Sequence, residues 1–227
     1  MSGTFISFEG IDGSGKTTQL RRLENDLQAR GLNVLATREP GGTPLGIRLR
    51  AALLDAREQV DPLAELLLYA ADRAQHVRAL VRPALAAGRI VLTDRYADAT
   101  VAYQGAGRGF SPQLIAEVIR LATGGLMPDI TLVFDLPVQT GTSRTRRRAH
   151  QTQEADRLDA EDTAFHELVR QAYLRLAAAE PQRVRVIDAG GSIDETYAQM
   201  MEIVLPFLRE RGIIEGQEAG ARSQKSE

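Results

Sequence analysis

The residues with most chemistry in them are Gly10-Ile11-Asp12-Gly13-Ser14-Gly15-Lys16-Thr17, which fit G-x-x-x-x-G-K-[ST]. Glycines at 10, 13 and 15 let the backbone take conformations that a Cβ forbids, so successive N–H groups can turn inward around a polyphosphate. Lys16 is a mobile cation for the outer phosphates, the Thr17 hydroxyl a natural Mg²⁺ ligand, and Thr18 continues the same turn. Farther on, Asp94 closes an apolar run where a carboxylate can hold that Mg²⁺ against Thr17, directly or through water. Arg95 has the planar fork for bidentate contact to a phosphate. Each has a bland counterpart: a glycine-rich turn with a solvated lysine, a turn cap, a surface ion pair.

Stepping from these residues to the elements that must hold them, Thr4–Glu9 is a short β-prone stretch before the loop, and Leu20, Leu23 and Leu27 follow it at helical spacing. Further strands are predicted at Asn33–Thr37, Arg89–Asp94, Ile130–Asp135 and Val184–Asp188. Helices are predicted around Leu45–Leu54, from Asp61-Pro62 to Gly88, from Ser111-Pro112 to Ala122, from Asp162 to Ala179 and from Ile193 to Arg211. Alternating strands and helices imply an α/β fold: a doubly wound, five-stranded parallel sheet with helices on both faces. Ligands then bind beyond the carboxyl ends of the strands, where the phosphate loop, Arg38-Glu39-Pro40, Asp94-Arg95-Tyr96, the segment after Asp135 and Asp188-Ala189-Gly190-Gly191 all fall.

The 227 residues suit one large domain, read as 1–211 with an insertion at 142–158 and a disordered polar tail at 212–227. A net charge of −2 argues against nucleic acid as main partner. The absence of cysteine and the presence of three scattered histidines leave no disulfide and no zinc site. No stretch approaches the roughly 20 apolar residues that span a bilayer, and no leader is evident, so a soluble, cytoplasmic protein without a membrane partner is expected. The run Arg144-Thr145-Arg146-Arg147-Arg148 could be a solvated face or a nucleic-acid patch. The net charge and the position after the fourth strand favour a mobile lid. Its polar flank His150–Ala155 has little to pack with.

Phe8-Glu9-Gly10 with the loop, Thr37-Arg38-Glu39-Pro40-Gly41-Gly42-Thr43, Tyr69-Ala70-Ala71-Asp72-Arg73, Asp94-Arg95-Tyr96 with Ala102-Tyr103-Gln104-Gly105, Gly125-Leu126-Met127-Pro128-Asp129 and Arg157-Leu158-Asp159 resemble, in order, the motifs of bacterial thymidylate kinases. These are nucleoside monophosphate kinases of the phosphate-loop class, and the likeness runs from residue 4 to residue 211. It implies transfer of the ATP γ-phosphoryl to dTMP with Mg²⁺, and a homodimer built through long helices. Carried over by position, Tyr69 matches the aromatic that stacks on thymine and Arg73 the group that bonds its O4. Thr100 and Gln104 match positions at N3 and the ring edge, and Tyr103 the residue against the sugar. Arg38, Glu39, Arg50 and Arg95 match the surroundings of the acceptor, and Asp12 an acidic position near its 3′-hydroxyl and phosphate end. Lys16, Arg95, Asp12, Arg144 and Arg148 are the implied catalytic set, with Arg157 in support. Gly13 stands where other members carry arginine, which throws the cation onto the lid; Ala99, Thr100 and Tyr69 are further departures, and the lid is longer than the family pattern.

Three other readings compete. A GTPase switch needs Asn-Lys-x-Asp, which is absent. A non-catalytic ATP-binding module would have no use for Arg95 and the lid arginines. A deoxynucleoside kinase would leave Arg38 and Arg95 facing a phosphate its substrate lacks. Without the resemblance, Tyr69 could equally be core, Arg73 a surface partner of Asp72 or Glu65, and Tyr103 packing for a glycine-rich loop.

Overall fold

Apolar, β-branched runs form the strands β1 (Thr4–Glu9), β2 (Val34–Arg38), β3 (Ile90–Asp94), β4 (Ile130–Asp135) and β5 (Val184–Asp188) of one parallel sheet in the order β2-β3-β1-β4-β5. The computed structural model describes residues 3–55, 59–152 and 157–214, the side chains of 148–152 and 159–160 lying outside the described residues. Alternation along the central strands divides the core between the two faces. Ile6, Phe8 and Leu92 pack with Leu23, Leu27 and Phe134 on one side, and Phe5 and Val91 with Val77, Val81 and Tyr96 on the other. The register pairs Arg38 and Phe8 with Asp94, and Asp135 with Asp188, so the strands end at one rim.

The helices are α1 (Lys16–Ala29), α2 (Pro44–Leu54), α3 (Pro62–His76), α4 (Arg82–Ala86), α5 (Ala97–Thr100), α6 (Pro112–Thr123), α7 (Val138–Thr152), α8 (Thr163–Ala179) and α9 (Ile193–Glu210). Side chains of Thr43, Asp61, Ser111, Asp162 and Ser192 cap α2, α3, α6, α8 and α9. The start of α1 follows Gly15 and has no side-chain cap, so no side chain competes for the N–H groups at its beginning.

One expectation needs correction. The segment after Asp94 is helical rather than a loop: α5 runs into a π-helical turn at Val101–Gly107. Its glycines argue locally against a helix, but burial of Ala97–Thr100 and Ala102–Gln104 outweighs that preference. Gly107 is needed there, because a Cβ would sit 2.6 Å from the Phe165 ring on α8. The arginine run belongs to α7, which begins directly after β4, and a π-helical turn at Val77–Val81 joins α3 to α4. Gly212–Ile214 are placed, Ile213 and Ile214 packing against the core; the expected disordered tail otherwise lies outside the described residues from 215 on.

Two features of the rim are physically costly. Arg95 has φ 71°, a left-handed conformation that costs a non-glycine residue about 1–2 kcal/mol. The Glu9 carboxylate is fully buried, accepting from Tyr96 N–H (2.7 Å) and Tyr173 OH (2.8 Å). Burial, aided by the negative charge of Asp98, pushes Glu9 up to about 8. Arg95→Gly and Arg95→Ala remove the same contacts, so the glycine variant should be the more stable by about 1 kcal/mol in urea unfolding. With its folded value raised, Glu9 contributes fully below its ordinary 4.5, and that contribution is lost as the pH rises towards about 8. Glu9→Gln cannot ionise, so its stability relative to the wild type should improve, by up to a few kcal/mol, between pH 5 and pH 8; parallel pH profiles would show that Glu9 does not titrate there.

Candidate active site

The glycines of the loop divide its inside from its outside. Gly10 and Gly13 have φ 133° and 79°, and a Cβ on them would lie 2.5 Å from Phe134 O and 2.4 Å from Gly141 O. Gly141 returns the constraint, since its own Cβ would meet Asp12 O at 2.7 Å. The two glycines therefore let α7 lie directly on the loop, and no larger side chain fits at 13. Gly15 (φ 85°) faces open space.

The residues present suit a bound nucleoside triphosphate with its metal. Ser14 Oγ is buried and has no partner among the described residues. Lys16 is nearly buried, with Nζ 3.4 Å from Asp12 Oδ1 and 3.5 Å from Ile11 O, distances that hold the cation above the loop without saturating it. The Thr17 hydroxyl donates to Asp94 Oδ2, which places two hard oxygen ligands side by side. No cluster of three or more metal-ligating side chains exists among the described residues, so a divalent cation here would be shared with phosphate oxygens and water rather than caged. Thr18 is exposed on the first turn of α1, and Ile11 is a core residue that can offer only its backbone.

Arg95 joins the loop to the rest of the site. Its Nη2 lies 2.9 Å from each Asp12 carboxylate oxygen and 2.9 Å from Tyr103 OH, and the guanidinium stacks 4.6 Å from the Tyr103 ring centroid. The Tyr103 hydroxyl in turn lies 3.3 Å from Asp12 Oδ2. Burial opposes the charge of Arg95, but Asp12 and the surrounding phenols hold it well above the ordinary arginine range. Burial pushes the Tyr103 phenol up more than Arg95 lowers it, so it stays a neutral donor.

Lys16, Thr17, Arg38, Arg50, Asp94, Arg95 and Asp12 line one cleft of about 890 Å³. Arg38 is exposed there, and Arg50 donates to Pro40 O at 3.2 Å. Tyr69, Arg73, Thr100, Tyr103 and Gln104 are not in that lining but form a second, mostly buried layer. Glu39 connects the two: it lines the cleft, yet its carboxylate is taken up by Arg73 Nε (2.7 Å) and His76 Nδ1 (2.8 Å). Arg73 also donates to Thr100 Oγ1 (2.7 Å) and Tyr96 O (2.8 Å), so its partner is Glu39 rather than Asp72 or Glu65. Tyr69 is half-buried one helical turn before Arg73, on the same face of α3. On α7, exposed Arg144 donates to Gly13 O at 3.3 Å, and the Arg148 side chain lies outside the described residues. Arg157 reaches Leu53 O (3.1 Å) and Glu65 Oε2 (2.6 Å).

Sequence reasoning missed the buried charges that carry this layer. Asp98 takes both Arg183 Nη1 (2.7 Å) and Nη2 (3.0 Å) and fastens α5 to the turn before β5. Glu65 is wholly buried and paired with Arg108 and Arg157. A signal existed for Glu65: it shares the inward face of α3 with Leu66, Asp72, Arg73 and His76, a polar stripe inside an otherwise apolar helix.

Comparison with known proteins agrees with this geometry. A family model described as thymidylate kinase matches residues 8–200. A thymidylate kinase of Deinococcus radiodurans is 51 % identical over 202 residues, covering 89 % of this chain and 96 % of that protein. One of Citrifermentans bemidjiense is 52 % identical over 213 residues, covering 92 % and 95 %. The crystal structure of thymidylate kinase from Ehrlichia chaffeensis superposes with a TM-score of 0.72 at 33 % identity, over 90 % of this chain and 99 % of that one. With a phosphate loop, a rim of converging cations and this extent of matching, the chain belongs to the thymidylate kinase family.

Proposed function

We infer that the protein transfers the γ-phosphoryl group of ATP to dTMP, giving dTDP and ADP, a step in dTTP supply. The observation that carries the reading is Arg95 bound to Asp12 of the phosphate loop at the mouth of a cleft that also holds Arg38 and Arg50. With Lys16 in the same cleft, that arrangement supports a site for two phosphorylated ligands. A deoxynucleoside kinase would desolvate those arginines against an uncharged hydroxyl.

An oxygen of the dTMP phosphate attacks the γ-phosphorus and the bond to the β,γ-bridging oxygen breaks, the electron pair leaving on ADP. The acceptor phosphate is already a nucleophile, so positioning and electrostatics supply most of the acceleration and no strong base is needed. Gly10–Thr18 cradle the ATP phosphates, and Lys16 follows the γ-phosphoryl in transit. Thr17 and Asp94 would hold Mg²⁺, which supplies charge neutralisation on the β- and γ-oxygens. Arg38, Arg50 and Arg95 fix the acceptor phosphate, and Asp12 keeps Arg95 turned toward it. Arg144, with Arg148, supplies from α7 the cation that Gly13 cannot.

Arg73 has five donors and spends three on Glu39, Thr100 and Tyr96, leaving two for a base carbonyl such as O4 of thymine. Tyr69 supplies the stacking face, Thr100 and Gln104 the ring edge, and Tyr103 the wall against the sugar. The dimer face falls on α3 and α6, which pack side by side and expose Leu63 (48 %), Leu67 (54 %) and Leu121 (74 %). Leu66 and Val77 are fully buried and belong to the core. No described helix is long and apolar enough to cross a membrane, and we place the activity in the cytoplasm.

ADP release with ATP, Mg²⁺ and a panel of acceptors should show strong preference for dTMP over dCMP, AMP, GMP and thymidine; release with thymidine but not dTMP would overturn the reading. Arg73→Ala should raise KM for dTMP by about tenfold or more while leaving KM for ATP nearly unchanged, whereas Lys16→Ala should lower kcat. Leu67→Glu should convert a dimer to a monomer in sedimentation, an outcome that an unchanged sedimentation coefficient would contradict.

A further inference from the structure

A single carboxylate lies under the base-side layer and takes up three side chains. Glu65 Oε1 accepts from Gln104 Nε2 (2.8 Å) and Arg108 Nε (3.2 Å), and Oε2 from Arg108 Nη2 (3.0 Å) and Arg157 Nη2 (2.6 Å). The two arginines are themselves anchored. Arg108 also pairs with Glu161 (2.7 Å) and stacks 4.7 Å from the Phe165 ring centroid, and Arg157 donates to Leu53 O. A fully buried carboxylate held by two fixed guanidiniums has no freedom to rotate.

Burial would raise the Glu65 carboxyl, but the hydrogen bonds from Arg108, Gln104 and Arg157 outweigh it and hold it below the usual carboxylate range. Glu65 is therefore ionised, and an ionised carboxylate only accepts. Gln104 is bound to give it the NH₂ group, so the amide carbonyl oxygen diverges from Glu65. We propose that Glu65 is a positioning residue for base selection, holding the NH₂ end of the Gln104 amide so that its carbonyl oxygen is the end left for the pyrimidine edge. The inference rests on the reading in which Gln104 meets the ring edge of dTMP. A base carrying N3–H, thymine or uracil, matches that acceptor; cytosine presents a lone pair at N3 and is refused. The selection works through an amide that cannot turn over, since doing so would press its carbonyl oxygen against a buried anion.

The test is steady-state kinetics of the full chain, with dTMP and dCMP varied at saturating ATP and ATP varied at saturating dTMP. In Glu65→Gln the residue at 65 can donate or accept, and the Gln104 amide is free to turn. The ratio of kcat/KM for dTMP over dCMP should fall about tenfold, with KM for dTMP raised and KM for ATP unchanged. Gln104→Leu should lose the same discrimination, and adding Glu65→Gln to it should cost no more. A Glu65→Gln variant that keeps the ratio, or that raises both KM values equally, would overturn the proposal. If Gln104→Leu itself leaves dTMP recognition intact, the underlying placement of Gln104 fails instead. Should Glu65→Gln not fold, the wild-type Gln104 side-chain NH₂ decides by NMR. Slow solvent exchange that persists on dTMP binding supports Glu65 as its partner, and fast exchange or transfer of the NH₂ to the ligand refutes it.

Discussion

The hydrogen-bonded set of Asp12, Arg95 and Tyr103 is the interaction on which the site depends. The phosphate loop meets there the end of β3 and the helical segment that follows it, 83 and 91 residues farther along the chain. Arg95 reaches its partners from a left-handed backbone conformation at the sheet rim. The fold holds that strain in place by tying Arg95 N–H to Phe8 O and its carbonyl to the Thr93 hydroxyl. Strain of this kind persists only where the surroundings over-determine it. The phosphate loop and the end of β3 are thereby joined into one unit.

Close approach at glycines sets further geometry. Gly13 against Gly141 lets α7 rest on the loop, and Gly107 against Phe165 lets the π-helical turn rest on α8. The first contact leaves no room for a side chain inside the loop at 13: the space is filled by the helix that carries Arg144, whose guanidinium touches Gly13 O.

Behind the cleft lies a layer of buried charge. Glu39 with Arg73, Glu65 with Arg108 and Arg157, and Asp98 with Arg183 each pair across different elements. Such pairs add little net stability, but removing one partner strands the other and typically costs about 3–5 kcal/mol. Their effect is orientation. They hold the Arg73 guanidinium and the Gln104 amide in one orientation each.

The sequence by itself determined the alternation of strands and helices, the phosphate loop and the carboxylates and arginines at the strand ends, because these are set by local periodicity and by spacing within a few residues. It also carried the family motifs, and with them the identities of Arg38, Tyr69, Arg73 and Arg95. The tertiary structure alone decided that Ala97–Gly107 is helical, since its glycines speak against helix locally and burial against α6 and α8 overrides them. It decided too that Glu65 is a buried hub rather than a surface residue. The partners that make it one, Gln104, Arg108 and Arg157, lie 39, 43 and 92 residues away, and no periodicity within a helix reports a charge arriving from that distance.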